Sequence, residues 1–137
     1  MHTIQDFFTI YKRSAWDKDV KSMIELYDDN VLVFDMWQHG YQAGLKEWSA
    51  AIEEWLGSLG AERVNVLFEM VDVHESGGLG WASAVVRYEA VTADNSILRS
   101  MKNRITLGLI KKEGRWKVMH QHTSAPIDDE LNAVLNF

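Results

Sequence analysis

Apolar residues recur at helical spacing through the first part of the chain and at alternate positions through the second, and the change of period falls near Gly60. Ile4, Phe7, Phe8, Tyr11 and Ala15 form one stripe with Asp6, Lys12 and Arg13 off it, which predicts an amphipathic helix ending near Trp16. Asp17 or Asp19 can cap a second helix carrying Val20, Met23, Ile24 and Tyr27, and Asp28-Asp29-Asn30 breaks it. The apolar run Val31 to Trp37 reads as a strand buried on both faces, and Gly40 to Gly44 turns the chain into a third helix with Leu45, Trp48, Ile52, Trp55 and Leu56 inward. Beyond Gly60, strands are expected over Arg63 to His74, Trp81 to Thr92, Ile97 to Lys112 and Arg115 to Thr123. Ser76-Gly77-Gly78, Asp94-Asn95-Ser96 and Glu113-Gly114 separate them as tight turns. Asp128-Asp129-Glu130 suits the start of a short terminal helix through Leu131, Val134 and Leu135.

Helices first and an antiparallel meander afterwards define an α+β fold in which N-terminal helices pack on one face of a curved antiparallel β-sheet. The 137 residues contain no Pro, Gly or Ser-rich linker, so residues 1–137 are read as one domain. On the last strand, alternation places Trp116, Val118, His120 and His122 on one face and Met119, Gln121 and Thr123 on the other. Apolar groups on both faces predict that one lines a cavity and the other packs against something else, most simply a second copy of the chain. A homodimer through the outer sheet face is therefore expected, with His120 and His122 near its two-fold axis, where protonation would weaken association.

Charge and composition narrow the partners. A formal net charge of −6 and a pI near 5.3, without any Lys/Arg cluster, argue against nucleic acid and against an anionic membrane surface. The absence of cysteine excludes disulfides, a thiol nucleophile and thiolate metal sites. Met1-His2-Thr3-Ile4-Gln5-Asp6 lacks the basic start and apolar run of a signal peptide, and no stretch is apolar enough to span a bilayer, so a cytoplasmic location is the expectation. Six tryptophans in so short a chain promise large apolar walls; Trp37, Trp48, Trp55 and Trp81 are candidates to line a ligand pocket, or simply to fill the core.

Asp35 is the first candidate for chemistry, because a carboxylate inside the run Val31 to Trp37 must be desolvated, paired or open to a cavity. Burial would raise its pKa and make it a usable general base; the bland alternative is a carboxylate that fixes a strand end. His120 and His122 lie two apart on a strand, about 7 Å between Cα atoms, but a stable zinc site needs a third ligand, and none of Asp35, His39, Glu69 or His74 stands at a diagnostic spacing. No metal is expected. Ser124 follows His122 too closely to form a nucleophile–base pair, and Gly77-Gly78-Leu79-Gly80 joins two strands, so it is a hairpin turn and no phosphate loop.

The element order, the junction Tyr27-Asp28-Asp29-Asn30-Val31 and the ending Gly114-Arg115-Trp116…His120-Gln121-His122…Ser124…Pro126 resemble the NTF2-like superfamily, in particular its SnoaL-like and ketosteroid isomerase-like branch. The resemblance implies an NTF2-like cone, with helices closing a strongly bent sheet around a cavity. It also implies a catalytic Asp at Asp35, since Tyr27 to Asp35 is similar to the family's Tyr-x-Asp-Asp-x-x-x-x-Asp junction, and a tyrosine oxyanion donor at Tyr11, sixteen positions before Tyr27. Met119, Gln121 and Thr123 would then look into the cavity beside Trp37, Trp55 and Leu107 as the substrate-binding set. The family's protonated acid lies on the penultimate strand, where Asn103 to Leu109 has no carboxyl group; a neutral hydrogen bond from Asn103 or Thr106 would have to take its place.

Two functions are thus open. One is a cofactor-independent isomerase, cyclase or dehydratase acting on a small apolar carbonyl compound, with Asp35 moving a proton and Tyr11 polarising the carbonyl. The other is a non-catalytic ligand-binding or oligomerisation domain of the same superfamily, similar to the association domain of calmodulin-dependent kinase, in which Arg99 or Arg104 would supply the cavity arginine. The fold alone does not choose between them.

Overall fold

The computed structural model describes residues 1–37 and 39–137. Thr3 and Asp6 start the first helix with reciprocal hydrogen bonds: the Asp6 carboxylate accepts the Thr3 N–H at 3.0 Å, and the Thr3 hydroxyl accepts the Asp6 N–H at 3.3 Å. Helix α1 (Asp6–Asp17) follows, then α2 (Val20–Ile24), whose Asp19 cap accepts the Ser22 N–H. The second helix is shorter than the apolar stripe implied, because Tyr27 already belongs to strand β1 (Tyr27–Phe34). Strand β2 (Tyr41–Ala43), helix α3 (Leu45–Gly57) and strands β3 (Arg63–Ser76), β4 (Leu79–Val91), β5 (Ile97–Lys112) and β6 (Arg115–Ser124) complete the order.

The six strands form one sheet in the order β2-β1-β6-β5-β4-β3, antiparallel throughout except where β1 runs parallel to β6. Its inner face carries Val64 and Val66 of β3, Ala82, Ala84 and Val86 of β4, Ile105, Leu107 and Leu109 of β5, and Trp116 and Val118 of β6, all buried. Phe7, Phe8, Tyr11 and Ala15 of α1 and Trp48, Ile52 and Leu56 of α3 close over them in one hydrophobic cluster. The α+β fold with helices on a curved sheet is as the periodicity predicts, and each Val, Leu, Ile or Phe side chain fully buried there contributes about 1.5–3 kcal/mol relative to exposure.

Two local features depart from the simple pattern. Leu109 pairs with Val118 but Gly108 pairs with His120, so Met119 is an extra residue on β6, a β-bulge. The bulge resets the alternation: Trp116 and Val118 share the inner face with Gln121 and Thr123, while His120 and His122 turn outward. The four residues expected on one face are therefore split between two. Second, the segment after Ser124 is not helical. Pro126 cannot extend the ladder, the Asp128 carboxylate accepts the Glu130 and Asn132 N–H groups in a tight turn, and the tail returns so that Leu135 O accepts the Lys102 N–H at 2.7 Å where β6 has ended.

Candidate functional site

Register on the inner face sets out the site row by row. Val33, Gln121, Leu107 and Ala82 lie side by side across β1, β6, β5 and β4; Thr123, Ile105 and Ala84 form the next row, and Asn103 and Val86 the one after. Asp35 follows Val33 by two residues, immediately past the end of β1, and this brings it beside Thr123. The Thr123 hydroxyl donates to Asp35 Oδ1 at 3.2 Å, and its oxygen accepts the Met36 N–H at 3.1 Å. The Asp35 N–H is itself held by Gly40 O at 3.1 Å, so the carboxylate stands on a fixed strand end.

Asp35 is half-buried, and its desolvation raises the carboxyl above the ordinary aspartate range against the opposing pull of the Thr123 hydroxyl, the Trp37 and Met36 amides and His39. Its negative charge adds only a little to the raised pKa of Tyr11, Tyr27 and Tyr88. All three phenols are raised chiefly by burial, Tyr88 to about 12, so they are neutral donors at pH 7. The Tyr11 and Tyr88 hydroxyls are 3.0 Å apart and share one hydrogen bond, which leaves the second proton of the pair free to be donated elsewhere. Tyr27 is committed: its hydroxyl donates to Gln121 Oε1 at 2.7 Å. The Trp48 indole packs edge-on against the Tyr27 ring at 5.8 Å, and its Nε1 is buried outside hydrogen-bonding geometry with any described residue.

The sequence-predicted residues therefore fall in different places. Tyr11, Leu107, Gln121 and Thr123 are buried on the inner side, and Trp55 packs on both Tyr11 and Tyr88 with ring centroids 6.3 and 6.1 Å away. Trp37 and Met119 are corrections. Trp37 is 52% exposed because β1 ends at Phe34 and strand alternation no longer governs it, and Met119 is 41% exposed because it is the bulged residue. Tyr88 is the residue that the sequence reading passed over. Its signal lies in the strand pattern: it alternates with Val86 and Ala90 on β4, and a tyrosine partly buried on that face needs a partner for its hydroxyl.

Other features lie away from this interior. An open groove of about 930 Å³ runs between α1 and β3 to β5, lined by Phe8, Trp16, Phe68 and Ile97 among others, and a recess of about 600 Å³ lies by the β5–β6 turn between Asp28, Lys112 and Arg115; neither includes Asp35 or Tyr11. Among the described residues no three or more His, Asp or Glu side chains gather where they could hold a metal ion, and no helix is long and apolar enough to cross a membrane.

Comparison with known proteins agrees with this architecture. Residues 4–128 match the SnoaL-like domain family. An NTF2-like protein of unknown function from Pseudomonas putida superposes with a TM-score of 0.86 at 24% identity, over 98% of this chain and 92% of that one. A protein of unknown function with a cystatin-like fold from Nostoc punctiforme gives 0.70 at 11% identity over 88% and 86%. ActVI-ORFA from Streptomyces coelicolor gives 0.76 at 10% identity over 88% and 92%. Likenesses at these identities establish the fold. Among curated proteins, none matches.

Proposed function

The chain belongs to the SnoaL-like domain family, and we propose that it catalyses proton transfer on a small apolar carbonyl compound, with Asp35 as the base and the Tyr11–Tyr88 pair as the donor to the carbonyl oxygen. One observation carries the reading: a carboxylate raised by burial stands at the end of β1, oriented by the Thr123 hydroxyl at 3.2 Å. Asp35 would take a proton from the carbon next to the carbonyl, breaking the C–H bond. The electron pair moves into a carbon–carbon double bond as negative charge builds on oxygen. The free hydroxyl proton of the tyrosine pair would stabilise that oxygen, and Asp35 would return its proton to the same or a conjugated carbon. None of these steps calls on a cofactor.

Support also comes from the division of labour among the polar groups. Burial keeps the phenols neutral where a hydrogen-bond donor is needed, yet Asp35 retains partial access to water and its hydroxyl partner, so it can ionise. The test is exchange of the methyl protons of acetophenone in deuterium oxide, followed by NMR, with the wild type against Asp35→Asn. Loss of enzyme-dependent exchange in the variant is expected.

The partner we propose is a second copy of the chain. Leu32, His120, Gly108, Trp81 and His74 lie in register across the outer face of five strands, and Phe34, His122 and Thr106 lie in the row beside them. Leu32, Phe34 and Trp81 are exposed there, and the Phe34 ring stands edge-on to both imidazoles at 4.9 and 5.6 Å. An aromatic face of this kind on an antiparallel sheet is the sort that symmetric dimers cover.

A further inference from the structure

Asn103 lies on the inner face of β5 and is 2% exposed, yet its amide is left without adequate partners. Its Nδ2 approaches the Met36 thioether at 3.3 Å, and its Oδ1 has no hydrogen-bond partner among the described residues. A thioether is a weak acceptor and no donor, so turning the amide over does not help: either orientation leaves one polar atom unmatched and the other against sulfur. Buried polar groups are nearly always satisfied, and the exceptions need a reason.

The position supplies one. Asn103 touches Met36, the Met36 N–H is held by the Thr123 hydroxyl, and that hydroxyl holds Asp35, so the unmatched amide is one residue away from the proposed base. Opposite Asn103 on β4 stands Val86, which offers it nothing polar. Met36 is the removable part of this arrangement, because its unbranched thioether side chain repacks at small cost. What replaces it must offer a donor to Oδ1 and, best, an acceptor to Nδ2. A ketone oxygen only accepts; a hydroxyl does both.

We infer that the Asn103 amide is a hydroxyl-recognising subsite, so that the carbonyl compound bound beside Asp35 carries a hydroxyl group that displaces the Met36 thioether. This rests on the reading of Asp35 as the base, but it is tested by binding alone. A site built to pair a hydroxyl rejects the analogue that lacks it, because the buried amide is then left unpaired.

The probes are acetophenone and its meta- and para-hydroxy derivatives, titrated against the intact chain by isothermal calorimetry. At least one hydroxy isomer should bind the wild type about tenfold or more tightly than acetophenone. In Asn103→Leu that preference should fall to within about twofold, with the melting temperature held or raised because an unmatched buried amide has been removed. Asn103→Ala should lose the preference equally and serves if leucine does not fit. A wild type that binds neither hydroxy isomer more tightly than acetophenone, binding by none of the three, or a preference that survives both substitutions would each overturn the inference, as would a melting temperature in Asn103→Leu lowered like that of a protein losing a satisfied hydrogen bond. Methyl-proton exchange measured on all three compounds at saturating concentration separates the two ideas. Exchange without hydroxyl preference removes the subsite and leaves Asp35; preference without exchange removes the base and leaves the subsite.

Discussion

Thr123 Oγ1 lies 3.2 Å from Asp35 Oδ1 and donates to it, and the same oxygen accepts the Met36 backbone N–H, so one hydroxyl fixes both the carboxylate and the chain that carries it. This bond favours the ionised carboxylate and works against the desolvation that raises its pKa. Thr123→Val keeps the shape and removes the donor. The pH–rate inflection for proton exchange should move upward relative to the wild type, and the rate near neutrality should fall several-fold, on the order of the loss of one charge-assisted hydrogen bond. A profile recorded across pH 4 to 8 for both proteins checks it, and an unmoved inflection counts against the role given to Thr123.

Asp35 also makes a stability prediction with a definite sign. Its carboxyl holds a proton more tightly folded than unfolded, so its contribution to stability is fully present below the unfolded value near 3.9 and is lost as pH rises through the folded one. Asp35→Asn removes that loss. The variant should melt higher than the wild type at pH 7, and the difference should shrink as the pH is taken down to about 4. Melting curves at several pH values decide it; a variant less stable at pH 7 would mean that the carboxylate stabilises the fold.

The Tyr11–Tyr88 hydrogen bond should appear as coupling. Tyr11→Phe and Tyr88→Phe each leave one buried hydroxyl without its partner, at a cost of about 1 kcal/mol, whereas the double variant leaves none. Urea unfolding of the four proteins should give a double-variant loss smaller than the sum of the singles by about 0.5–1.5 kcal/mol. Strict additivity would mean that the two phenols act independently.

The outer sheet face gives a prediction about assembly. Light scattering on the wild type at micromolar concentration and neutral pH should report a dimer, and Phe34→Arg, which places a charge between the His120 and His122 rings, should report a monomer that keeps its secondary structure. A wild-type monomer refutes the proposal outright.

The sequence carries most of this fold because its periods are local. The α1 stripe of Phe7, Phe8, Tyr11 and Ala15 and the alternation of Val64 and Val66 or of Ile105, Leu107 and Leu109 are each set by one element burying one face. Failures occur where tertiary pairing overrides the local pattern. No residue type announces a bulge, and one extra residue at Met119 is enough to send His120 and His122 to the opposite face from Trp116. Trp37 misleads for a similar reason, since the apolar run continues past the point where β1 stops pairing at Phe34. The acidic run from Asp128 reads as a helix start, but Pro126 and the Asx-type turn at Asp128 win, and the Lys102 N–H donates to Leu135 O of the returning tail. Asp35, Tyr11 and, through its alternation on β4, Tyr88 can be singled out from residue type and position, whereas the unmatched amide of Asn103 shows only once Met36 and Val86 are placed around it.

The central claim is that Asp35 removes a proton from carbon. The direct measurement is deuterium incorporation into the methyl group of acetophenone by NMR, with wild type and Asp35→Asn at equal concentration and with matched circular dichroism. The wild type should exchange those protons faster than buffer does, and Asp35→Asn should lose about 10²–10⁴-fold of that enhancement, the usual contribution of a positioned general base. Equal rates in the two proteins would contradict it.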